Sequence, residues 1–302
     1  MQPIINYIKH PSSLCDSLVC HLGWWLPDSV YLRLRYRFNT GKRLNLKDPK
    51  SFSEKLQWLK LHDRNPEYTK MVDKVQAKEY VSSVIGKEYV IPLLGVWNRP
   101  EDIDWDSLPN QFVLKTNHSG GHTGVIICTD KLTFNKEDAI TKLNCSLKSD
   151  VYRNLREWPY KNVSRCVLAE QYIQPAPNEN DLPDYKFFCF DGELAYCQVI
   201  GGRSGTMSID FFDMEWKHQP FHEPKDYPFA EIEPKKPECF EKMCSAARLL
   251  AQGKPFSRID FYQVKDKVLF GEITFYPTSG MGGFDPEEWD YKFGEWLKLP
   301  KV

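Results

Sequence analysis

The chain has 302 residues, 41% of them hydrophobic and 14% aromatic, enough for a large core in two or three lobes. Its 40 basic and 41 acidic residues leave a net charge of −1, with no basic excess to suggest a nucleic-acid partner. No run approaches the roughly 18 apolar residues of a membrane span.

The first ten residues lack the apolar run of a signal peptide. The nine cysteines are an odd number with no CxxC pair, and several sit in apolar runs such as Val125-Ile126-Ile127-Cys128. They read as buried, reduced thiols of a cytosolic protein. Leu18 to Tyr31, LVCHLGWWLPDSVY, is apolar and carries Trp24-Trp25. It is expected to be a helix docked on the protein's own body. A peripheral contact with the inner face of a membrane is the secondary expectation.

Residues 29 to 85 read as helical. Ser51-Phe52-Ser53-Glu54 has capping-box spacing, and Phe52, Leu56 and Leu59 recur at helical intervals behind it. Thr69 is expected to cap a second helix that Gly86 stops. Lys74 and Lys78 would share one face of it, four residues apart. The Asp102-Ile103-Asp104-Trp105-Asp106 run contains D-x-D, a pattern that holds metal and nucleotide-sugar in many glycosyltransferases. The run lies in a polar segment bounded by prolines with no strand leading into it, where aspartates are expected to cap helices and turns.

Gln111 to Cys128, QFVLKTNHSGGHTGVIIC, reads as strand, glycine-rich loop, strand. Glycines let backbone N–H groups approach phosphate oxygens, and Lys115 at the strand's end adds a point charge. The loop is not a Walker A motif. His118 and His122 have a zinc-like spacing, but no cysteine pair accompanies them, and a metal role is not expected. A helix over 134–147 follows, then the strand CVLAEQYI with Glu170, broken by Pro175 and Pro177. A hairpin KFFCF-DGE-LAYCQVI turns at Asp191-Gly192, with Asp184 and Lys186 at its start. Arg203 follows two glycines and is a candidate anion contact. After a helix over 237–250, Arg258 to Gly280 forms two β-rich runs around Lys265-Asp266-Lys267. Pairing them brings Asp260 and Glu272 to the same end beside Arg258, a site for a hard cation and the phosphates it bridges.

With all these parts in order, the chain resembles the ATP-grasp fold and, more narrowly, the TupA-like ATP-grasp family of polysaccharide biosynthesis. The matching words are GKRLNLKDPKSFSEKLQWLKLHDR, DKVQAKEYV, LPNQFVLKTNHSGG, DYKFFCFDGE and RIDFY…FGEITFYPTSG, spread over about residues 30 to 280. The resemblance implies an α+β ATP-grasp fold, with nucleotide held between two α+β lobes and a helical N-terminal region. It implies three parts: a helical region and first lobe over 1–107, a lid with the glycine-rich loop over 108–175, and a C-terminal part with the metal site over 176–302.

It further implies ATP and Mg²⁺. Lys115, with Lys74 or Lys78, would hold phosphates, under the loop that contains His118, Ser119, Gly120 and Gly121. Glu170, Gln171, Tyr172 and Ile173 would meet adenine, and Asp184 the ribose. Lys186 and Arg258 would face the transferring phosphoryl group, and Asp260 and Glu272 would bind Mg²⁺. Thr274 stands where most ATP-grasp enzymes carry asparagine, a weaker ligand at that place. Arg203, Tyr276, Thr278 and Ser279 are the expected acceptor contacts. The implied activity is an ATP-dependent carboxylate–amine ligase that works through an acyl phosphate. It would join an amino acid or amino sugar to a carboxylate of a cell-surface polysaccharide or its precursor. The alternatives are a metal-dependent glycosyltransferase and a non-catalytic nucleotide-binding partner.

Overall fold

The computed structural model describes residues 11–120, 124–175, 182–203 and 205–301. The N-terminal region is helical: α1 (Pro11–Leu22), α2 (Asp28–Thr40) and α3 (Phe52–His62). Gly41 ends α2 in the left-handed region, at φ 74. The capping box at α3 forms. The Glu54 N–H donates to Ser51 Oγ at 3.2 Å, and the Ser51 N–H donates to Glu54 Oε2 at 3.3 Å.

The second expected helix is two: α4 (Glu67–Val72) and α5 (Gln76–Ile85). Thr69 lies inside α4 and caps nothing. The break is made by Asp73, whose Oδ1 accepts the Val75 N–H at 2.9 Å. Lys74 therefore sits in the break rather than on a helix face. Gly86 does stop α5, its N–H donating to Ser82 O.

A first antiparallel sheet contains β1 (Leu93–Trp97), β2 (Phe112–Thr116), β3 (Val125–Cys128) and β4 (Val167–Gln171), in the order β1-β4-β2-β3. Helix α6 (Lys136–Lys148) packs Ala139 and Leu143 against Phe112, Leu114 and Val167, and a short α7 (Val151–Leu155) follows. Because β1 comes from residues 93–97, this sheet begins before residue 108.

A second antiparallel sheet has the order β7-β6-β5-β8-β9. Its strands are β5 (Asp184–Phe190), β6 (Glu193–Gly201), β7 (Ser208–Phe212), β8 (Ser257–Val264) and β9 (Lys267–Thr274). Asp191 and Gly192 turn the first hairpin with φ of 49 and 87. Helix α8 (Phe240–Ala251) covers one face, with Phe240 5.7 Å from Phe187 between ring centroids. Helix α9 (Glu288–Trp296) closes the chain.

The large core joins distant parts of the chain. Phe52 of α3 makes edge-to-face pairs with Phe256 at 4.9 Å and with Phe293 of α9 at 5.6 Å. Each such pair adds about 0.5–1.5 kcal/mol beyond its buried area. Helices α3 to α5 thus belong to the same core as the five-stranded sheet.

The 18–31 segment is docked on the body in part: Gly23 and Tyr31 are buried, and Arg156 donates to the Gly23 and Trp24 carbonyls at 3.4 and 3.2 Å. Leu18 and Leu22 of α1, and Trp24 and Trp25 just after it, point away from the body at 49%, 64%, 60% and 68% exposure. No helix among the described residues is long and apolar enough to cross a membrane.

Candidate active site

Strand periodicity places the site's charges. In β5 and β8, residues two apart share a face, so Asp184 and Lys186 align, as do Arg258 and Asp260. The intervening Tyr185, Phe187, Ile259 and Phe261 are buried and belong to the large core. Antiparallel pairing then sets Lys186 opposite Asp260, Asp260 opposite Glu272, and Arg258 opposite Thr274.

The contacts follow from that register. Arg258 grips Asp260 with two parallel hydrogen bonds, Nε to Oδ1 at 2.8 Å and NH2 to Oδ2 at 2.7 Å. Lys186 Nζ meets the same Oδ2 closely and lies 3.5 Å from Asp184 Oδ2. Arg258 NH2 also reaches Glu272 Oε1 at 3.3 Å and Thr274 Oγ1 at 3.2 Å. Burial alone would raise the Asp260 carboxyl, but Arg258 and Lys186 outweigh it and hold it below the usual range. Burial also opposes the Arg258 cation, and Asp260 more than restores it.

Strand β2, helix α5 and the α4–α5 break bring three lysines to the Glu272 end of this row. Lys115 Nζ lies 2.5 Å from Glu170 Oε2, and Lys78 Nζ lies 2.6 Å from Glu170 Oε1. Lys74 Nζ donates to Ser119 O at 2.5 Å and stands 4.0 Å from Glu272 Oε2. Neither helical-region lysine is solvated, since the Lys74 and Lys78 side chains are only 15% and 12% exposed. Burial lowers the pKa of both ammonium groups, with Glu272 and Glu170 respectively opposing it.

All three lysines line one cavity together with Glu170, Glu272 and Tyr160. Its free volume is about 20 Å³. A nucleotide site needs several hundred Å³. The lysines occupy the cleft by pairing with the carboxylates, so phosphates entering it would have to replace those ion pairs.

Several expected residues are placed differently. His118 and Ser119 are 2% and 4% exposed and turn inward, His118 Nε2 lying 3.1 Å from Ser149 O and Ser119 Oγ 2.6 Å from Thr116 Oγ1. Their side chains do not face the cleft. Gly120 is exposed. Gly121, His122, Thr123 and Pro177 lie outside the described residues.

Asp184, 1% exposed, faces Arg203 and Lys186 rather than a place for a ribose. Its Oδ1 has no hydrogen-bond donor among the described residues. Arg203 joins the row through this carboxylate. Glu170 is the lysines' counter-ion. Gln171 is exposed at the end of β4, and its N–H is already used by Pro92 O at 3.0 Å. Tyr172 and Ile173 are half-buried just beyond it.

Tyr276 and Ser279 are buried, at 4% and 9% exposure, and only Thr278 of that loop reaches the surface. The D-x-D run also departs from a metal site. Asp102 pairs with Arg99 at 2.5 Å, and Asp104 Oδ1 caps its own turn through the Asp106 and Ser107 N–H groups.

For Mg²⁺ the donor set fits a cation that arrives with phosphates. Mg²⁺ commonly takes one or two carboxylates and completes its shell with water and substrate oxygens. Glu272, one-third exposed, turns Oε2 toward the cavity with Lys74 as its nearest ion-pair partner. Both Asp260 oxygens are held by cations, and Thr274 Oγ1 bridges Arg258 and Glu272 instead of standing free as a ligand. Among the described residues no three His, Cys, Asp or Glu side chains gather as a cage.

Two buried groups were not anticipated. Lys60 of α3 donates to Ser279 O at 2.9 Å and to its Oγ at 2.7 Å, and Gln57 donates to the same carbonyl at 2.8 Å. They clamp a loop in which Thr278 and Ser279 hold φ of 48 and 55, a costly region for these residues. Burial pushes the Lys60 ammonium down to about 8, against Glu157. The sequence signal was a lysine in line with Phe52 and Leu56 at intervals of four.

Glu223 is 3% exposed and accepts from Thr278 Oγ1 at 2.9 Å; burial raises it to about 7, against Thr278 and Arg258. A raised carboxyl contributes stability that is complete below the unfolded pKa and is lost as pH rises through the folded one. Urea unfolding is therefore expected to show wild type losing about 3 kcal/mol relative to Glu223→Gln between pH 4.5 and 8. Parallel pH curves for the two proteins would contradict this.

Two antiparallel sheets, with a lysine-lined cleft at the end of an Arg-Asp-Glu row, make the ATP-grasp fold. The family model of TupA-like ATPgrasp matches residues 54–298, and the chain belongs to that family. No curated protein matches it in sequence. Among solved structures it is similar to a D-alanine–D-alanine ligase from Bacillus anthracis, at 19% identity and TM-score 0.40 over 68% of this chain and 57% of that one. A D-alanyl-alanine synthetase A from Vibrio cholerae gives 12% identity and TM-score 0.41 over 75% and 63%. The D-cycloserine synthetase DcsG gives 15% and 0.40 over 76% and 71%. The chain spans less than two thirds of the length of the first of these structures.

Proposed function

We propose that the protein is an ATP-dependent carboxylate–amine ligase acting on a saccharide. The observation that carries this reading is the row Lys186–Asp260–Arg258–Glu272 on one sheet, whose Glu272 end shares a cavity with Lys74, Lys78 and Lys115. Such a site gathers cations around a polyphosphate, and holding them in place before reaction is the main source of rate enhancement in phosphoryl transfer.

Lys115 and Lys78 exchange Glu170 for phosphate oxygens, and Lys74 is placed to follow. An acceptor carboxylate oxygen attacks the γ-phosphorus, the bond to the bridging oxygen breaks, and ADP leaves with that electron pair. Lys186 and Arg258 face the moving charge. An amine then attacks the acyl carbon, phosphate departs, and the amine proton passes to solvent. Mg²⁺ held at Glu272 would offset charge on the phosphates. The carboxylate is taken to belong to a cell-surface polysaccharide or its precursor, and the amine to an amino acid or amino sugar. The exposed Leu18, Leu22, Trp24 and Trp25 stripe suits a peripheral membrane contact at the site of such precursors.

Hydroxylamine tests the chemistry, because it captures an acyl phosphate as a hydroxamate. With Mg-ATP and an oligoglucuronate, the expected result is equal amounts of ADP and hydroxamate. ADP without hydroxamate over a panel of acidic saccharides would remove the ligase reading. The glycosyltransferase alternative draws no support from the turn-capping aspartates at 102–106.

A further inference from the structure

Tyr160 lines the lysine-lined cleft, and no motif of the sequence accounts for it. It ends a short turn, Trp158–Tyr160, between α7 and β4. The turn anchors its backbone at both ends. The Tyr160 N–H donates to Glu157 O at 3.2 Å, and its carbonyl accepts from the Val163 N–H at 3.4 Å. Pro159 is buried beside it, and the Tyr160 ring packs against the large core. From there the residue shares the cavity wall with Lys74, Lys115 and Glu272.

Tyr160 is half-buried, and its hydroxyl makes no hydrogen bond among the described residues. A tyrosine O–H sheltered from solvent usually finds a partner, so this donor is left for something that enters the cleft.

The neighbouring charges say which end of the cleft it serves. The hydroxyl lies within electrostatic reach of Glu157, Glu272 and Arg258. Arg258 and Glu272 are themselves joined at 3.3 Å, and they are the groups assigned to the moving phosphoryl group and its Mg²⁺. Burial, then Glu157 and Glu272, raise the Tyr160 pKa well above the ordinary tyrosine value, against Arg258. The hydroxyl therefore keeps its proton at neutral pH and stays a donor.

A neutral donor differs from the lysines around it. Ammonium groups attract the phosphates of bound ATP before any reaction. An O–H is directional, so it can fit the flattened phosphoryl group in flight better than the tetrahedral one it starts from. Only such a difference raises kcat. We propose that the Tyr160 hydroxyl donates a hydrogen bond to a non-bridging oxygen of the phosphoryl group during its transfer, which makes Tyr160 a catalytic residue of the cleft. This rests on the phosphoryl step of the ligase reading above and not on the identity of the acceptor.

Tyr160→Phe keeps the ring in the core and removes only the hydroxyl. The full chain is unfolded thermally with Mg-ATP, with Mg-ADP, and with Mg-ADP plus aluminium fluoride, a mimic of the group in flight. ADP release is followed with Mg-ATP, an oligoglucuronate and hydroxylamine. The variant is expected to keep the wild-type melting temperature and the wild-type shift in Mg-ATP. It is expected to lose most of the extra shift that aluminium fluoride adds to Mg-ADP in wild type. Its kcat should fall about a hundredfold at an unchanged KM for ATP, the order of one lost donor. No added shift in wild type beside a normal Mg-ATP shift, or an equal added shift in the variant, overturns this inference alone. A variant that loses its Mg-ATP shift, or melts well below wild type without ligand, overturns it too. Loss of the aluminium fluoride shift in the variant, with wild type releasing ADP but forming no hydroxamate, supports it and overturns the ligase reading instead.

Discussion

Glu272→Gln is expected to lower ATP-dependent turnover by about a hundredfold to a thousandfold, the usual cost of removing one group that stabilises developing charge. The folded state hardly depends on this side chain. It is one-third exposed, and its tie to Arg258 is a single 3.3 Å contact. Glutamine keeps the shape and can still accept from Arg258, but it loses the charge that faces the cavity and Lys74. The melting temperature without nucleotide should therefore stay near wild type while kcat falls. Steady-state ADP release and thermal unfolding on one preparation check both halves. A fall in stability as large as the fall in activity would show that Glu272 is structural.

Asp260→Asn should behave in the opposite way. Asp260 is 1% exposed and lies between Lys186 and Arg258, which are themselves buried. Removing its charge leaves two cations in a dry setting with less compensation, and breaking a buried pair in this way costs about 3–5 kcal/mol. Asp184 is within reach of Lys186 and softens the effect, so the lower end is expected. Urea unfolding should show the loss directly. Adding Arg258→Met removes the stranded guanidinium, and the double variant should be less destabilised than the sum of the two single changes. Strict additivity would contradict the coupling.

The hairpin that carries Asp260 and Glu272 was legible because strands impose a period of two. Charged residues in β-rich runs around a short turn fix both the face and the neighbours, and the register pairs the two carboxylates directly. The lysines were legible as residues but not as a constellation. Lys74 reaches the cleft because Asp73 breaks the helix, and a side chain that folds back on its own backbone leaves no periodic signal.

The inward turn of the His118 and Ser119 side chains was not legible, because a loop sequence does not say which side chains turn inward. That depends on Ser149 and Thr116, which fix them from elsewhere in the fold. Lys60 and Glu223 lay out of reach for a related reason. Lys60 finds its partner 219 residues away. Glu223 lies in a proline-rich connection with no pattern to single it out. Leu18, Leu22, Trp24 and Trp25 show the same limit, since apolar content does not reveal which side chains are covered.

The central claim is that the cleft between the two sheets binds Mg-ATP through Lys115. Thermal unfolding of wild type and Lys115→Met, with Mg-ATP or with Mn-UDP-sugars, tests it most directly. A ligand that binds only the folded chain raises the melting temperature, by an amount equivalent to about 2.7 kcal/mol at a hundred times its Kd. Mg-ATP is expected to stabilise wild type, Lys115→Met to lose most of this shift, and UDP-sugars to leave both proteins unmoved. Stabilisation by a UDP-sugar, with none from Mg-ATP, would contradict it.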